Sequence, residues 1–221
     1  MAHMPPELTQ KPRDDPGDGL ESETPGERGA MWARHQLRWT DLVQTHPLEY
    51  LFLEVTRRCN LRCAYCGSDC NQGPRADELG AAEWIGIVRQ IAGDFEPAKV
   101  MIAVTGGEPL LKPGIFTLFE ELARLGFPYG MVTNGFFLDR ETATRLVATK
   151  IGSVSISMDA PGPTNDEMRG PGASDKVREA LTHLREAGFC GKLEVISTIT
   201  RPVVPMLSAM RRHLSALRVP H

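Results

Sequence analysis

The sequence predicts an α/β fold in which helices alternate with the strands of a parallel sheet. Three observations carry this prediction. Short apolar runs rich in β-branched residues recur from residue 51 onward, segments with helical spacing of apolar residues separate them, and a 221-residue chain that is 41% hydrophobic is large enough to bury one core. We therefore expect one folded domain built from β-α units.

Five apolar runs are predicted to be strands, because each is short and rich in the residues of buried parallel strands. In chain order they are 51–56, 100–106, 129–135, 153–159 and 193–200. The widest interval follows the first strand. Since loops at the carboxyl ends of parallel strands build active sites in β/α folds, this insertion is expected to be functional.

Five further segments have apolar residues at helical spacing. Two of them stop at a glycine, Gly126 or Gly188, which is a common way for a helix to end. Asp139 is a predicted N-cap for a third. The predicted helical segments are 84–91, 115–125, 140–148, 177–184 and 207–217. The sequence thus predicts five β-α units.

The amino-terminal region has a different composition. Residues 1–30 contain five Pro, four Gly and seven acidic residues but no aromatic residue, so they bury too little apolar surface to offset the entropy lost on ordering. We predict a disordered or loosely structured arm over 1–45 and a folded core over 46–221.

Charge and cysteine usage exclude several classes of protein. A net charge of −3 from 25 basic and 28 acidic side chains gives no strong field for nucleic acid or membrane surfaces. Four clustered cysteines and one isolated cysteine do not form a secreted disulfide framework, and no window has the length of a membrane span. We expect a cytoplasmic protein. The absence of a Ser-His-Asp order or a phosphate loop leaves hydrolase and NTPase functions without support.

Four of the five cysteines, Cys59, Cys63, Cys66 and Cys70, fall within twelve residues after the first predicted strand. All four could form a closed zinc site, or they could fully ligate a 4Fe-4S cluster in an electron carrier. In an alternative arrangement only the first three bind a cluster, which leaves one iron without a protein ligand. These alternatives differ in reactivity, because a four-thiolate site is saturated.

The three-cysteine arrangement, with Tyr65 just before Cys66, resembles the Cys-x3-Cys-x-aromatic-Cys motif of the radical S-adenosylmethionine (SAM) enzymes. The resemblance implies that Cys59, Cys63 and Cys66 hold a 4Fe-4S cluster and that SAM chelates the remaining iron. It also implies that an electron from the cluster cleaves SAM to a 5′-deoxyadenosyl radical, which abstracts hydrogen from a substrate. The implied fold is a partial (β/α) TIM-like barrel. Such a core has six strands, so the chain, with five, is expected to lack the sixth strand and C-terminal parts.

The ends of the second and third predicted strands carry further elements of the resemblance. Gly106, Gly107, Glu108 and Pro109 match the family's GGEP motif, which implies hydrogen bonds to the SAM ammonium group. Without the cysteine motif, the same four residues would be read as a turn. Asn134, at the end of the third predicted strand, is a predicted cofactor contact.

The fourth predicted strand ends in Ser157 and Asp159, which strand alternation places on one face. The resemblance implies that this hydroxyl and this carboxylate bind the SAM ribose. The alternatives are a core hydroxyl for Ser157 and a helix cap or turn for Asp159.

Arg169 lies in a segment, 165–170, that resembles the His-Asp-x-x-Arg-Gly element of the peptide-modifying branch, which often carries auxiliary clusters. Asn165 stands where that branch has histidine. The resemblance implies that Arg169 pairs with the SAM carboxylate, and a solvated loop arginine is the alternative. It also favours a peptide over a small molecule as substrate.

Three arginines, Arg57, Arg58 and Arg62, flank the cysteines. A negatively charged cluster and an acidic reductant would both favour cations here, so we predict docking of a flavodoxin or ferredoxin.

Overall fold

The computed structural model describes residues 48–63, 65–68, 70 and 77–219, together with positions 26, 29 and 30 in helical backbone. The chain divides into two units, Met1–His46 and Pro47–His221. The rest of the predicted arm, 1–45, lies outside the described residues. The elements below all belong to the second unit.

Five parallel strands form one sheet in the order of the chain. They are β1 (Tyr50–Glu54), β2 (Met101–Thr105), β3 (Tyr129–Thr133), β4 (Ser153–Ser157) and β5 (Lys192–Ile196). This confirms the predicted α/β fold with five β-α units. The sheet is not closed into a barrel, because β1 and β5 lie at its two edges.

The carboxyl ends of the strands differ from the prediction. The fourth strand ends at Ser157 rather than at 159, and the fifth ends at Ile196 rather than at 200. The predicted lengths were wrong because the backbone N–H groups of Asp159 and Thr198 bind side chains instead of the neighbouring strand. For example, the Thr198 N–H donates to the Asp159 carboxylate at 2.7 Å.

Six helices connect or follow the strands in the described part of the chain: α1 (Ala81–Asp94), α2 (Ile115–Leu125), α3 (Arg140–Ala148), α4 (Pro163–Arg169), α5 (Ala173–Glu186) and α6 (Leu207–Ala216). Five of them confirm predicted helical segments. Asp139 caps α3, since its Oδ1 accepts from the Thr142 N–H at 2.8 Å. The short α4 was not predicted, because seven residues starting at a proline show no apolar periodicity.

Alternate residues of the strands form the two faces of the sheet. One register row places Leu53, Val104, Met131 and Val154 side by side, and all four are buried in the core with the helices. This row fixes the side of the sheet that the helices cover.

The next row, Phe52, Ala103, Gly130, Ser153 and Lys192, lies on the opposite face. Phe52 is 63% exposed, and these five residues line a cavity of about 590 Å³. None of the helices in the described residues is long and apolar enough to cross a lipid bilayer.

Candidate cofactor site at the carboxyl ends of the strands

The three predicted metal ligands lie together beyond the carboxyl ends of the strands. Cys59, Cys63 and Cys66 are partly buried and line one cavity of about 180 Å³. Six other predicted site residues line the same cavity: Tyr65, Gly106, Gly107, Asn134, Ser157 and Arg169. Glu108, Pro109 and Asp159 are buried beside it and do not line it.

The first cysteine is anchored by its neighbours. The Leu61 N–H donates to Cys59 Sγ at 3.5 Å, and Asn134 Nδ2 lies 3.8 Å from the same sulfur. Asn134 Nδ2 also donates to Asn60 Oδ1 at 2.8 Å. The segment from Thr56 to Cys70 carries the four clustered cysteines and is called the cysteine segment below. The end of β3 therefore holds the first cysteine of this segment in place.

Burial raises the pKa of Cys59 and of Cys63 above that of an ordinary thiol. The Arg169 guanidinium opposes this effect at Cys63, since it favours the thiolate. Both thiols are therefore protonated at neutral pH in the metal-free chain, and metal binding must displace their protons.

A single metal ion and a 4Fe-4S cluster require different arrangements of their ligands. Zinc draws four ligands to within about 2.3 Å of one point, and within the described ranges no group of three or more His, Cys, Asp or Glu side chains could hold a metal ion in this way. A 4Fe-4S cube instead takes one thiolate per iron, so its ligands stand apart. Three thiols that line one cavity fit such a cube.

Two glycines bring the end of β2 against the cysteine segment. A Cβ on Gly106 would lie 2.4 Å from the Thr56 carbonyl oxygen, and one on Gly107 would lie 2.2 Å from the Arg58 carbonyl oxygen. The Gly107 N–H donates to the Thr56 carbonyl at 2.7 Å. No residue with a side chain fits this approach, and Gly106 also has a φ of 127°.

Glu108 turns away from the cavity into the protein. Its fully buried carboxyl accepts from Thr133 Oγ1 at 2.8 Å, from the Asn134 N–H at 2.8 Å and from the Leu110 N–H at 3.2 Å. Burial outweighs these hydrogen bonds and raises the pKa of Glu108 to about 7. The carboxyl joins the ends of β2 and β3, and the contact of Glu108 with an ammonium group stays a prediction.

Asp159 is also buried and fully engaged. Its Oδ2 accepts from Arg169 Nε at 2.6 Å, and its Oδ1 accepts from Arg169 Nη2 at 2.9 Å. The Tyr65 hydroxyl donates to the same carboxylate. Burial and this hydrogen bond raise the pKa of Tyr65. Asp159 lies beyond the end of β4 at Ser157, where strand alternation stops, and its ribose contact stays a prediction.

A polar clamp at the start of the cysteine segment was not predicted. Glu78 accepts from Thr56 Oγ1 at 2.9 Å and from the Arg57 N–H at 2.7 Å, while buried Lys112 lies 3.8 Å from its Oε2. Nothing in the sequence spacing indicates this cluster. Thr198 also lines the cavity and was not predicted. It donates to Asp159 through its backbone N–H, which any residue except proline has, so the sequence carries no signal for this contact.

Cys70 lines the same cavity as the other three cysteines and is 5% exposed. Burial raises the pKa of its thiol to about 12, and the nearby Cys66 adds to this effect. The structure therefore gives Cys70 the surroundings of a protonated, buried thiol.

A parallel β/α sheet with a thiol-lined cavity at its strand ends defines the core of a cofactor-dependent enzyme. The chain belongs to the radical SAM superfamily, whose family model matches residues 53–208.

Named relatives agree with this membership. An AdoMet-dependent heme synthase of Nitratidesulfovibrio vulgaris is 30% identical over 150 residues, which cover 67% of this chain and 40% of that protein. The mycofactocin maturase MftC of Mycobacterium tuberculosis is 35% identical over 149 residues, covering 66% of this chain and 37% of that protein. The chain thus spans about two fifths of the length of these relatives.

Solved structures share the fold. Native anSMEcpe with bound AdoMet gives a TM-score of 0.65 at 20% identity, over 77% of this chain and 49% of that one. Streptococcus suis SuiB bound to precursor peptide SuiA gives a TM-score of 0.65 at 18% identity, and the match covers 92% of this chain and 45% of that chain.

Proposed function

We propose that this chain binds a 4Fe-4S cluster and SAM and uses them to generate a radical for hydrogen abstraction from a substrate. The observation that carries the proposal is the cavity itself. The thiols of Cys59, Cys63 and Cys66 share it with the two glycines at the end of β2. Superfamily membership supports the same chemistry.

Each wall of the cavity has a proposed task. Cys59, Cys63 and Cys66 would each hold one iron of the cluster, and the backbone carbonyls at Gly106 and Gly107 would accept from the SAM ammonium group. In the described part of the chain only Nε and Nη2 of Arg169 are engaged, so Nη1 is left to donate to a carboxylate.

Other predicted contacts divide into two groups. Ser157, Tyr65 and Asn134 line the cavity and are proposed to contact the SAM nucleoside or the cluster segment. Glu108, Pro109 and Asp159 are proposed to support the cavity from behind, because their side chains are buried and do not reach it.

When bound, the reduced cluster and SAM supply the electron transfer that yields the 5′-deoxyadenosyl radical. The chain's own residues orient and enclose these groups. The buried Glu108 and the buried Asp159–Arg169 pair would hold the walls of the cavity in place. Fixed walls keep the bound groups at constant distances from each other.

A peptide is the proposed substrate. The mycofactocin maturase and SuiB, the latter solved with a precursor peptide, support this class, and small-molecule modification is the alternative. We propose that the substrate lies on the exposed face of the sheet. Val132 lines both the 590 Å³ cavity of that face and the thiol-lined cavity, so a substrate group there would adjoin the cofactors.

The proposal is tested by anaerobic reconstitution with iron and sulfide, followed by dithionite reduction in the presence of SAM. The product 5′-deoxyadenosine is then quantified by chromatography. Replacing Cys59, Cys63 or Cys66 with Ala is expected to abolish the product, whereas Cys70→Ala, the matched control, should largely retain it. Equal loss in all four variants would indicate a closed four-thiolate site. One equivalent of zinc without iron or sulfide would indicate a zinc module.

A further inference from the structure

Asp159 stands out because one buried carboxylate receives donors from three separate parts of the chain. It is 0% exposed. Arg169 at the end of α4 donates twice, at 2.6 and 2.9 Å, and the Thr198 N–H beyond β5 donates at 2.7 Å. The third donor is the Tyr65 hydroxyl from the cysteine segment. The carboxylate therefore links the cysteine segment to the opposite edge of the sheet.

The backbone of Asp159 is fixed as firmly as its side chain. Its N–H donates to Oδ1 of Asn165 at 2.8 Å, and Asn165 is itself fully buried. Ser197 Oγ donates to the preceding carbonyl, that of Met158, at 2.5 Å. Since neither the backbone nor the side chain can shift freely, the carboxylate is a fixed acceptor for the Tyr65 hydroxyl.

Two of the cysteines lie close to the groups that Asp159 binds. Tyr65 is 94 residues from Asp159 and lies directly before Cys66. On the other side, the Cys63 thiol lies 3.9 Å from the Arg169 carbonyl oxygen. Two of the three cysteines are therefore next to groups that Asp159 holds, whereas Cys59 has separate anchors at Leu61 and Asn134.

We propose that Asp159 is a positioning residue that fixes the Tyr65–Cys66 end of the cysteine segment and Arg169 in one arrangement before any cofactor binds. The inference rests on the proposed function, because it assigns these residues to the cofactor cavity. Its structural part does not require a cofactor. The hydrogen bond from Tyr65 to Asp159, called the tie below, is therefore a property of the cofactor-free chain, and it can be measured there.

The energetic reason is the burial of the charges. Arg169 has a side chain only 10% exposed, and removal of its partner leaves a buried cation without compensation. Burial alone would lower the pKa of Arg169, but the hydrogen bonds and charge of Asp159 raise it. Asp159→Asn keeps the shape but replaces one acceptor oxygen by an NH₂ group, which cannot accept from Tyr65 and Arg169.

The test measures the alkylation rate of individual cysteines in the folded, metal-free protein, with iodoacetamide and peptide mapping by mass spectrometry. Tyr65→Phe keeps the ring and removes only the hydroxyl. We expect it to raise the rates at Cys66 and Cys63 by about tenfold or more, the scale of one lost buried hydrogen bond to a charged group. Cys59 should change little. Tyr129→Phe is the matched control, because its hydroxyl donates to the Thr149 carbonyl, away from the cavity.

Asp159→Asn, and the double variant that combines it with Tyr65→Phe, complete a double-mutant cycle. Non-additive rate increases at Cys66, with Cys59 unchanged, support the tie. Unchanged rates at Cys66 in Tyr65→Phe would overturn it, as would equal increases at all three cysteines. If Asp159→Asn does not fold, the Tyr65→Phe comparison decides alone.

The reconstituted protein separates the two proposals. If wild-type protein assembles no cluster, the proposed function fails, while the alkylation result still stands. If the cluster forms and responds to SAM, but the alkylation rates do not change, only the positioning role fails. Under the positioning role, Tyr65→Phe assembles a cluster whose paramagnetic spectrum with SAM is broader than that of the wild type.

Discussion

At the scale of single residues, the buried carboxyl of Glu108 has a structural role, since it connects two strand ends. Its carboxyl joins the end of β2 to the end of β3 through Thr133 and Asn134, and it also caps the turn at Pro109–Leu111. Three donors satisfy its oxygens, but complete burial still disfavours the charge. The balance sets the pKa of Glu108 at about 7.

This balance predicts a pH dependence of stability. An unfolded Glu has a pKa of 4.5, so between that pH and about 7 the folded protein binds a proton that the unfolded chain releases. The contribution of Glu108 is therefore fully present below pH 4.5 and falls as pH rises, by on the order of 3 kcal/mol. Glu108→Gln should remove this component from the free energy of unfolding.

The measurement is denaturant unfolding of the wild type and Glu108→Gln at several pH values between 4.5 and 7.5. The difference between the two curves is informative, because other groups titrate equally in both proteins. Parallel curves would show that Glu108 has the same pKa in the folded and unfolded states.

At the scale of secondary structure elements, the contact between β2 and the cysteine segment depends on two glycines. Gly107→Ala would place a methyl group 2.2 Å from the Arg58 carbonyl oxygen. Neither group can rotate away, because the oxygen belongs to the backbone and the methyl group is attached directly to it. We expect a loss of stability of about 2 kcal/mol or more, together with reduced iron incorporation. Denaturant unfolding and iron analysis measure the two effects.

Gly86→Ala is the control for this substitution. Gly86 is exposed within α1, and a Cβ there would meet nothing within 4 Å. The substitution should stabilise the protein by about 1 kcal/mol through helix propensity. If Gly107→Ala had the same small favourable effect, the close approach of the two segments would not exist.

The elements also show what the sequence could and could not predict. The presence of five strands and of α2 and α3 follows from periodicity, caps and glycines, which are local signals. The strand ends did not, because residues such as Thr198 leave the sheet to bind side chains far along the chain. The tie between Tyr65 and Asp159, and the clamp of Thr56 with Glu78, have no local signal. Cofactor contacts could be assigned only through the motif resemblance.

At the scale of the whole molecule, the cavity lies beside exposed cations. Arg58 and Arg62 are exposed on the cysteine segment, and we predict that an acidic reductant docks there. Charge reversal, Arg58→Glu with Arg62→Glu, should slow cluster reduction by reduced flavodoxin severalfold at low salt, with the difference shrinking as salt rises. Stopped-flow absorbance follows the reduction.

Arg211→Glu is the control for charge alone, because Arg211 is exposed on α6 and does not belong to the cysteine segment. Reduction by dithionite, a small reductant, should be nearly equal in all variants. If flavodoxin reduced the double variant at the wild-type rate, docking at these arginines would be ruled out.

The central claim is that three cysteines hold a cluster whose fourth iron is open to SAM. Electron paramagnetic resonance of the reduced, reconstituted protein, recorded with and without SAM, tests this claim most directly. SAM is expected to change the spectrum of the wild type and of Cys70→Ala alike. A spectrum that stays the same with SAM in excess, or a cluster that is lost in Cys70→Ala, would contradict it.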